Sequence, residues 1–205
     1  MPQGQDPFVR TLLGRRDYEM IGALVARDSK VLDLGCGEGD LLEWLAENKN
    51  VDARGVELFP EKVQKAIARG VSVYQGNMEE CVSDYPDHAF DYIILSQTLQ
   101  EVRHPQRILQ EIMRVGKHAV IAFPNYGHWR VRLSHFFTGR APKTKLFPHD
   151  WYDSPNIHFF TIEDFELLAS KESWILEKRI FLAGNQEIRR LPNLMSEVAV
   201  YLIRK

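Results

Sequence analysis

The sequence lacks most of the features that mark a secreted, membrane-bound or metal-binding protein. Its 205 residues include only two cysteines, which match neither a disulfide framework nor a zinc site. No apolar run approaches the roughly 20 residues of a membrane helix, and the first residues lack the apolar segment of a signal peptide. We therefore expect a cytoplasmic protein with no membrane attachment and no metal.

A large excess of charge of either sign is also missing. The formal net charge is −2, with 26% charged and 44% hydrophobic residues, which is ordinary for a globular protein. This balance disfavours nucleic acid or an acidic membrane as a partner. The pattern G-x-x-x-x-G-K-[ST] is absent as well, which disfavours a nucleoside triphosphate. The length suits one α/β domain with a sizeable core.

What the chain does contain is a strand, a glycine turn and a helix in direct succession at residues 31–45. An apolar run is typical of a central parallel strand covered on both faces. The glycines that follow let the backbone turn sharply and let a ligand approach main-chain atoms. Leucines at helical spacing come next. In order, these residues are Val31, Leu32, Leu34, Gly35, Gly37, Gly39, Leu41, Leu42 and Leu45. The stretch predicts a cofactor-binding turn.

The spacing of this turn indicates which cofactor it serves. Dinucleotide-binding folds use G-x-G-x-x-G, with the pyrophosphate on the helix N-terminus. Here the spacing is G-x-G-x-G, and Asp33 stands two residues before the first glycine. A carboxylate there would repel a pyrophosphate, but it suits a ligand with an ammonium and a sulfonium charge. We therefore predict binding of S-adenosylmethionine and S-adenosylhomocysteine, and no binding of NAD.

A second acid strengthens this interpretation. Glu57 closes the run 53–57, which we interpret as the second strand, about 20 positions after the glycine turn. An acid at the end of the second strand can accept hydrogen bonds from both ribose hydroxyls. A lone acid at a strand end would mean little, but its pairing with the glycine turn at this spacing is specific.

The order of predicted elements defines the fold class. Five strands alternate with helices, which predicts a mostly parallel sheet with helices on both faces. Two closing strands follow at 174–182 and 197–203, and their hairpin-like connection makes the last strand antiparallel. We predict a doubly wound α/β domain over residues 17–205, with a flexible arm at 1–16 and an insertion at about 124–157.

Asn77 follows the third strand and has two possible roles. In a doubly wound sheet this strand end lies beside the ligand of the first strand, so Asn77 could bond the adenine edge. Asparagine is equally suited to cap the next short helix. The pattern leaves both open.

The insertion has an unusual composition. Residues 124–149 contain five basic residues and no acidic one, interleaved with aromatic residues. A solvated basic surface is one interpretation, but basic and aromatic residues together are more typical of a binding surface. Three histidines here show no metal-ligand spacing. We predict that this segment carries a partner or acceptor surface. The basic residues are Arg130, Arg132, Arg140, Lys143 and Lys145.

Four stretches resemble a known family. Residues 31–37 are similar to the motif of class I S-adenosylmethionine-dependent methyltransferases, and residues 96–100, 123–130 and 151–158 resemble the MetW family of methionine biosynthesis proteins. This resemblance covers roughly residue 31 to the end. It implies the seven-stranded, Rossmann-like methyltransferase fold and a role beside homoserine O-acyltransferase. One position departs from the family pattern, because the third strand there commonly ends with aspartate where Asn77 stands.

Together these patterns select two sets of candidate site residues. For the cofactor we predict contacts with Asp33, Gly35, Cys36, Gly37, Gly39, Glu57, Leu58, Asn77, Met78 and Ser96. The residues expected to face a methyl acceptor are Gln97, Thr98, Gln100, Asn125, Tyr126 and His128. Of these, His128 could serve as a base.

Three functions remain open at this point. The first is an accessory or regulatory subunit of homoserine O-acyltransferase that senses S-adenosylmethionine. The second is an active methyltransferase for a small anionic acceptor, because methyl transfer requires positioning and exclusion of water more than a fixed base. The third is an RNA methyltransferase, which the charge balance disfavours. Fold alone does not choose among them.

Overall fold

The computed structural model describes residues 15–205, with side chains from residue 18 onward. Its strands are β1 (Lys30–Leu34), β2 (Asp52–Glu57), β3 (Ser72–Gln75), β4 (Phe90–Ser96), β5 (Gly116–Pro124), β6 (Ile175–Ala183), β7 (Gln186–Glu187) and β8 (Val198–Arg204). Its helices are α1 (Arg15–Leu24), α2 (Asp40–Lys49), α3 (Pro60–Ala68), α4 (Met78–Cys81), α5 (Pro105–Val115), α6 (Trp129–Thr138), α7 (Ile162–Lys171) and α8 (Pro192–Met195). The predicted N-terminal arm lies outside the described residues, except for its last two positions.

The strands form one sheet in the order β3-β2-β1-β4-β5-β8-β6-β7. The first five strands in this order, β3-β2-β1-β4-β5, pair in parallel. Strand β8 runs antiparallel to both β5 and β6. The predicted seven-stranded arrangement with an antiparallel closing strand is therefore confirmed. The sequence did not predict β7, a two-residue strand that pairs with the end of β6. It forms because Gly184, at φ +52°, allows the chain to fold back at once.

The sheet separates two hydrophobic clusters because neighbouring side chains of a buried strand point to opposite faces. On β4, Ile93 and Leu95 pack in the cluster covered by α5 and α7, whereas Ile94 packs in the cluster covered by α1, α2 and α3. All three side chains are fully buried. Helices on both faces confirm the doubly wound architecture.

Local signals set the helix boundaries on both faces. Pro105 occupies the first turn of α5, where its missing N–H costs no hydrogen bond. Four apolar residues at helical spacing on this helix are all buried: Ile108, Leu109, Ile112 and Met113. Helix α7 starts with a capping box, in which Thr161 accepts from the Asp164 amide while Asp164 accepts from the Thr161 amide.

The insertion, which was predicted to carry a partner or acceptor surface, also packs into the core. It contains α6, and it contributes Val131, Leu146 and Phe147 to the core cluster beside α1 and α2. The end of the insertion is hydrogen-bonded to the loop after β4. The amides of Ile157 and His158 donate to the Gln100 carbonyl at 2.8 and 3.0 Å. No helix in the described part of the chain has the length and apolar character needed to cross a membrane.

Candidate functional site

The glycine turn between β1 and α2 uses backbone conformations that side chains disfavour. Gly35, Gly37 and Gly39 all have left-handed φ angles, of +80°, +59° and +82°. A Cβ on Gly35 would also lie 3.0 Å from the Thr98 hydroxyl oxygen. The amides of Gly35 and Cys36 donate to the Val56 carbonyl at 2.8 and 3.1 Å. The turn is therefore held against the end of β2.

The Glu57 carboxylate is also hydrogen-bonded to the glycine turn. It is 4% exposed, and its Oε2 accepts the Gly37 amide at 2.9 Å. Its Oε1 accepts the amides of Leu58 and Phe59 at 2.8 and 3.0 Å. A carboxylate offers about four acceptor positions, so three backbone bonds leave Oε2 able to accept one more. Sequence spacing located this acid, but it did not indicate these three donors.

A cavity of about 600 Å³ lies at the carboxyl ends of β1, β2, β3 and β4. This is the switch point of the sheet, where open α/β sheets bind their ligands. The cavity is lined by six of the predicted site residues: Gly35, Glu57, Leu58, Asn77, Met78 and Thr98. It is also lined by residues that the sequence patterns did not select, among them Phe59, Glu79, Val102, Arg103, His104 and Ile157.

Asn77 caps the next helix, which is one of the two roles that the sequence left open, and it also lies in the cavity wall. Its side-chain oxygen accepts the Glu79 amide at 3.0 Å and so caps α4. It also lines the cavity. The Glu79 carboxylate continues this wall, because it accepts the amides of Arg103 and His104 at 3.3 and 2.8 Å. The cavity wall therefore joins the start of α4 to the start of α5.

The remaining predicted cofactor residues do not line this cavity. Asp33 is 4% exposed on β1, with Gly55 and Ile94 beside it in register. Cys36 is buried, with its thiol against Gly55. Ser96 contributes its carbonyl, which accepts the Thr98 hydroxyl at 2.9 Å. Gly37 and Gly39 belong to the turn, but neither lines the cavity. These side chains support the wall rather than form it.

The loop after β4 has backbone strain together with unused hydrogen-bonding capacity. Gln97 adopts φ +56°, which is uncommon for a residue other than glycine. The Gln100 amide nitrogen donates to the Gln97 carbonyl at 2.8 Å. Among the described residues, no group bonds the buried Gln97 Nε2 or the buried Gln100 Oε1. Neither Gln97 nor Gln100 lines the 600 Å³ cavity, although Thr98 between them does.

Asn125 and Tyr126 lie apart from the main cavity. Asn125 is fully buried, and its amide nitrogen donates to the carbonyls of Asn193 and Ser196 at 3.0 and 2.9 Å. Its oxygen accepts the Gly127 amide at 2.9 Å, so this side chain fastens β5 to the segment before β8. Tyr126 lines a separate cavity of about 110 Å³ within the insertion. Burial raises the pKa of its hydroxyl.

His128 is enclosed just before α6. It is 3% exposed, and its Nδ1 has no hydrogen-bond partner in the described part of the chain. Burial lowers the pKa of this imidazole, the charge of Arg130 lowers it further, and Glu197 opposes both effects. The ring is therefore neutral near pH 7. It lines neither cavity, so the structure does not bring it together with Thr98 or Glu57.

Comparison with solved structures identifies the fold. The S-adenosylmethionine-dependent methyltransferase from Mesorhizobium loti superposes with a TM-score of 0.69 at 15% identity, covering 95% of this chain and 100% of that one. The [4+2]-cyclase SpnF superposes with a TM-score of 0.67 at 16% identity, covering 93% and 80%. The fold is thus that of class I methyltransferases, and because one neighbour is described as a cyclase, it does not define a reaction.

Sequence comparisons define the family. The bifunctional methionine biosynthesis protein MetXA/MetW of Rhodopirellula baltica is 33% identical over 197 residues, which is 90% of this chain and 32% of that protein. This chain therefore spans about a third of that relative. The family model for methionine biosynthesis protein MetW matches residues 15–203. The chain accordingly belongs to the MetW family of methionine biosynthesis proteins, with the fold of S-adenosylmethionine-dependent methyltransferases.

Proposed function

We propose that the 600 Å³ cavity binds S-adenosylmethionine and S-adenosylhomocysteine. The observation that carries this proposal is that Gly35 of the glycine turn and the buried carboxylate of Glu57 line one cavity. Glu57 can accept a ribose hydroxyl with the acceptor position that its backbone bonds leave on Oε2. Asn77 would face the adenine edge, and Leu58 and Met78 would supply apolar contact. Thr98 lies against Gly35, so a side chain at position 35 would collide with Thr98.

The cofactor, once bound, would supply a methyl group on a sulfonium, which is already an activated leaving group. The chain's own contribution would be to hold the ligand and to exclude water. The G-x-G-x-G spacing supports this cofactor over NAD, whose fingerprint has one more residue before the last glycine.

The proposed role is that of an accessory or regulatory subunit of homoserine O-acyltransferase. The support is the relative from Rhodopirellula baltica, in which MetXA and MetW are parts of one protein. Covalent fusion holds two modules at equal stoichiometry and high effective concentration. Where the modules are separate chains, a binding surface would serve the same purpose. The cofactor cavity would then report the level of S-adenosylmethionine to the acyltransferase.

A second candidate function is methyl transfer to a small, anionic acceptor. The observation that favours it is the loop after β4, where Gln97 Nε2 and Gln100 Oε1 are buried without partners among the described residues. Unpaired buried amide groups are costly, so they are expected to meet a ligand. A wall of neutral amides also suits a site that only senses its ligand. Detection of a methylated product is therefore what separates the two functions.

Calorimetric titration tests the cofactor. The wild-type protein should bind S-adenosylmethionine and S-adenosylhomocysteine, and NAD should give no heat. Glu57→Ala should weaken binding by about 1.5–3 kcal/mol, the usual scale of a hydrogen bond to a charged group. Glu61→Ala removes an exposed carboxylate from the first turn of α3 and is the matched control. Absence of heat with both sulfur compounds would overturn the proposal.

Affinity capture tests the partnership. The full chain should retain the homoserine O-acyltransferase encoded in the same genome at a 1:1 ratio. If purified acyltransferase passes without retention, the accessory role is wrong even where the cofactor binds. If the complex forms but a radiolabelled methyl group reaches a small molecule at a useful rate, the chain is an enzyme in its own right.

A further inference from the structure

Helix α6 exposes an apolar stripe whose spacing is that of a buried helix face. Trp129, Leu133, Phe136 and Phe137 stand at positions i, i+4, i+7 and i+8, so they share one side of the helix. Their exposed fractions are 36%, 44%, 79% and 76%, whereas Val131 on the opposite side is 1% exposed. We call these four residues the α6 stripe. Contiguous apolar side chains left in water are typical of an interaction site.

The segment of the chain that contains the α6 stripe carries charges of only one sign. Residues 124–149 include five basic residues and no acidic one. Arg130 lies over the Trp129 ring at 5.2 Å. No ion pair involves Arg130 or Arg140 in the described part of the chain, although nearby Lys143 pairs with Asp150. The stripe is therefore an apolar ridge in a positive field, and its complement is an apolar groove with an acidic rim.

We propose that the α6 stripe docks into such a groove on homoserine O-acyltransferase, which rests on the partnership proposed above. An amphipathic helix that lays its apolar face in a groove is a recurring mode of protein recognition. The matched family region, residues 15–203, contains the whole of α6. The relative that carries both modules in one protein is what supports the acyltransferase as the partner.

A second copy of the chain is the poorer occupant. In a two-fold dimer the same patch lies on both subunits, so the arginines flanking one stripe would face those flanking the other. No carboxylate lies within residues 124–149 to separate them. A membrane surface is also disfavoured, because the chain has a formal net charge of −2 and so no overall positive field that would attract anionic lipid.

The test compares three full-length proteins. Phe136→Ser/Phe137→Ser removes the two most exposed rings of the stripe. Leu167→Ser removes one exposed apolar side chain, 57% exposed, from α7 and is the matched control. Each protein is titrated with the homoserine O-acyltransferase of the same genome and, separately, with S-adenosylmethionine. We expect the double variant to bind the acyltransferase at least tenfold more weakly, with its cofactor affinity and melting temperature unchanged.

The outcomes are distinguishable. Capture by the wild type but equal capture by the double variant would overturn the docking site while leaving the partnership intact. No capture by the wild type would overturn the partnership itself, and the docking site with it. A wild-type dimer that becomes monomeric in the double variant would assign the stripe to self-association. Binding of wild type alone to anionic phospholipid vesicles, with equal acyltransferase capture, would assign it to a membrane.

The basic residues beside the α6 stripe have their own test. Arg130→Ala/Arg140→Ala should weaken capture mainly at low salt, because exposed charges act chiefly on encounter and are screened. Arg132 is left in place, since its Nε donates to the Gly127 carbonyl and so helps to hold the start of α6. Equal salt dependence in wild type and variant would contradict the acidic rim.

Discussion

Gly35 meets two requirements that can be tested separately. Its φ angle is +80°, and a Cβ there would lie 3.0 Å from Thr98 Oγ1 and 3.1 Å from Thr98 Cγ2. Gly70 has nearly the same angle, +81°, but nothing within 4 Å of an added Cβ. Gly70→Ala therefore isolates the cost of the backbone conformation, about 1–2 kcal/mol. Gly35→Ala should cost more, because Thr98 must move in a packed wall.

Urea denaturation of the two variants measures this difference. The free energy of unfolding should fall further for Gly35→Ala than for Gly70→Ala, and only Gly35→Ala should weaken binding of S-adenosylmethionine. Equal losses of stability with unchanged binding would show that Thr98 does not constrain the turn.

His128 provides a prediction of pH dependence. Burial lowers its pKa below the ordinary value of 6.5, so the unfolded chain takes up this proton more readily than the folded one. The contribution of neutral His128 to stability is complete above about pH 6.5. It is lost progressively as the pH falls from there through the lower folded pKa.

Comparison of stability at pH 7.5 and pH 5 measures this contribution. His128→Gln should lose less stability over this interval than the wild type, because its amide takes up no proton. His88→Asn is the control, since it replaces an exposed histidine with a residue that tolerates the same left-handed backbone. If His128→Gln and His88→Asn show the wild-type pH profile, protonation of His128 is not what destabilises the fold in acid.

At the scale of elements, Asn77 both caps a helix and forms part of the cavity wall. Asparagine and aspartate cap helices about equally well, whereas alanine loses about 0.5–2 kcal/mol at this position. Asn77→Asp should therefore keep the melting temperature, and Asn77→Ala should lower it. A carboxylate also accepts from an adenine amino group more strongly than an amide does, so Asn77→Asp should tighten binding of S-adenosylmethionine.

Thermal denaturation and calorimetry on the same samples separate these two effects. Ser83→Ala is a useful control, because Ser83 lines the same cavity without capping α4. Weaker cofactor binding by Asn77→Asp, with stability unchanged, would place the adenine away from this residue.

At the scale of the whole molecule, the cavity joins segments that are distant in sequence. Its wall includes the ends of β1, β2 and β4, the starts of α4 and α5, and Ile157 from the insertion. A ligand that binds only the folded chain at 100 times its dissociation constant adds about 2.7 kcal/mol of stability. For a domain of this size, each kcal/mol raises Tm by about 2–4 °C.

We therefore expect saturating S-adenosylmethionine to raise Tm by about 5–11 °C. NAD at the same concentration should leave Tm unchanged. Differential scanning fluorimetry of the full chain measures both shifts. An equal shift with NAD would mean that the cavity does not distinguish the two cofactors and that the glycine spacing has been misinterpreted.

What the sequence determined by itself was the order of elements and the place of the cofactor turn. These features depend on local signals: buried apolar runs, glycines where the backbone must turn, and an acid at the end of the second strand. Glycine at positions 35, 37 and 39 acts within a few residues of the chain, so the spacing of these glycines alone predicted the turn. The closing antiparallel strand followed from the connection that precedes it.

Only the tertiary structure decided which side chains meet. Asn125 was expected at the acceptor site, but its amide is used by carbonyls about 70 residues later in the chain. Glu57 was expected to accept hydrogen bonds from both ribose hydroxyls, but its carboxylate already accepts three backbone amides. The α6 stripe has the spacing of a buried face and is nevertheless exposed. Periodicity records which residues share a face, whereas packing between distant segments determines what that face touches.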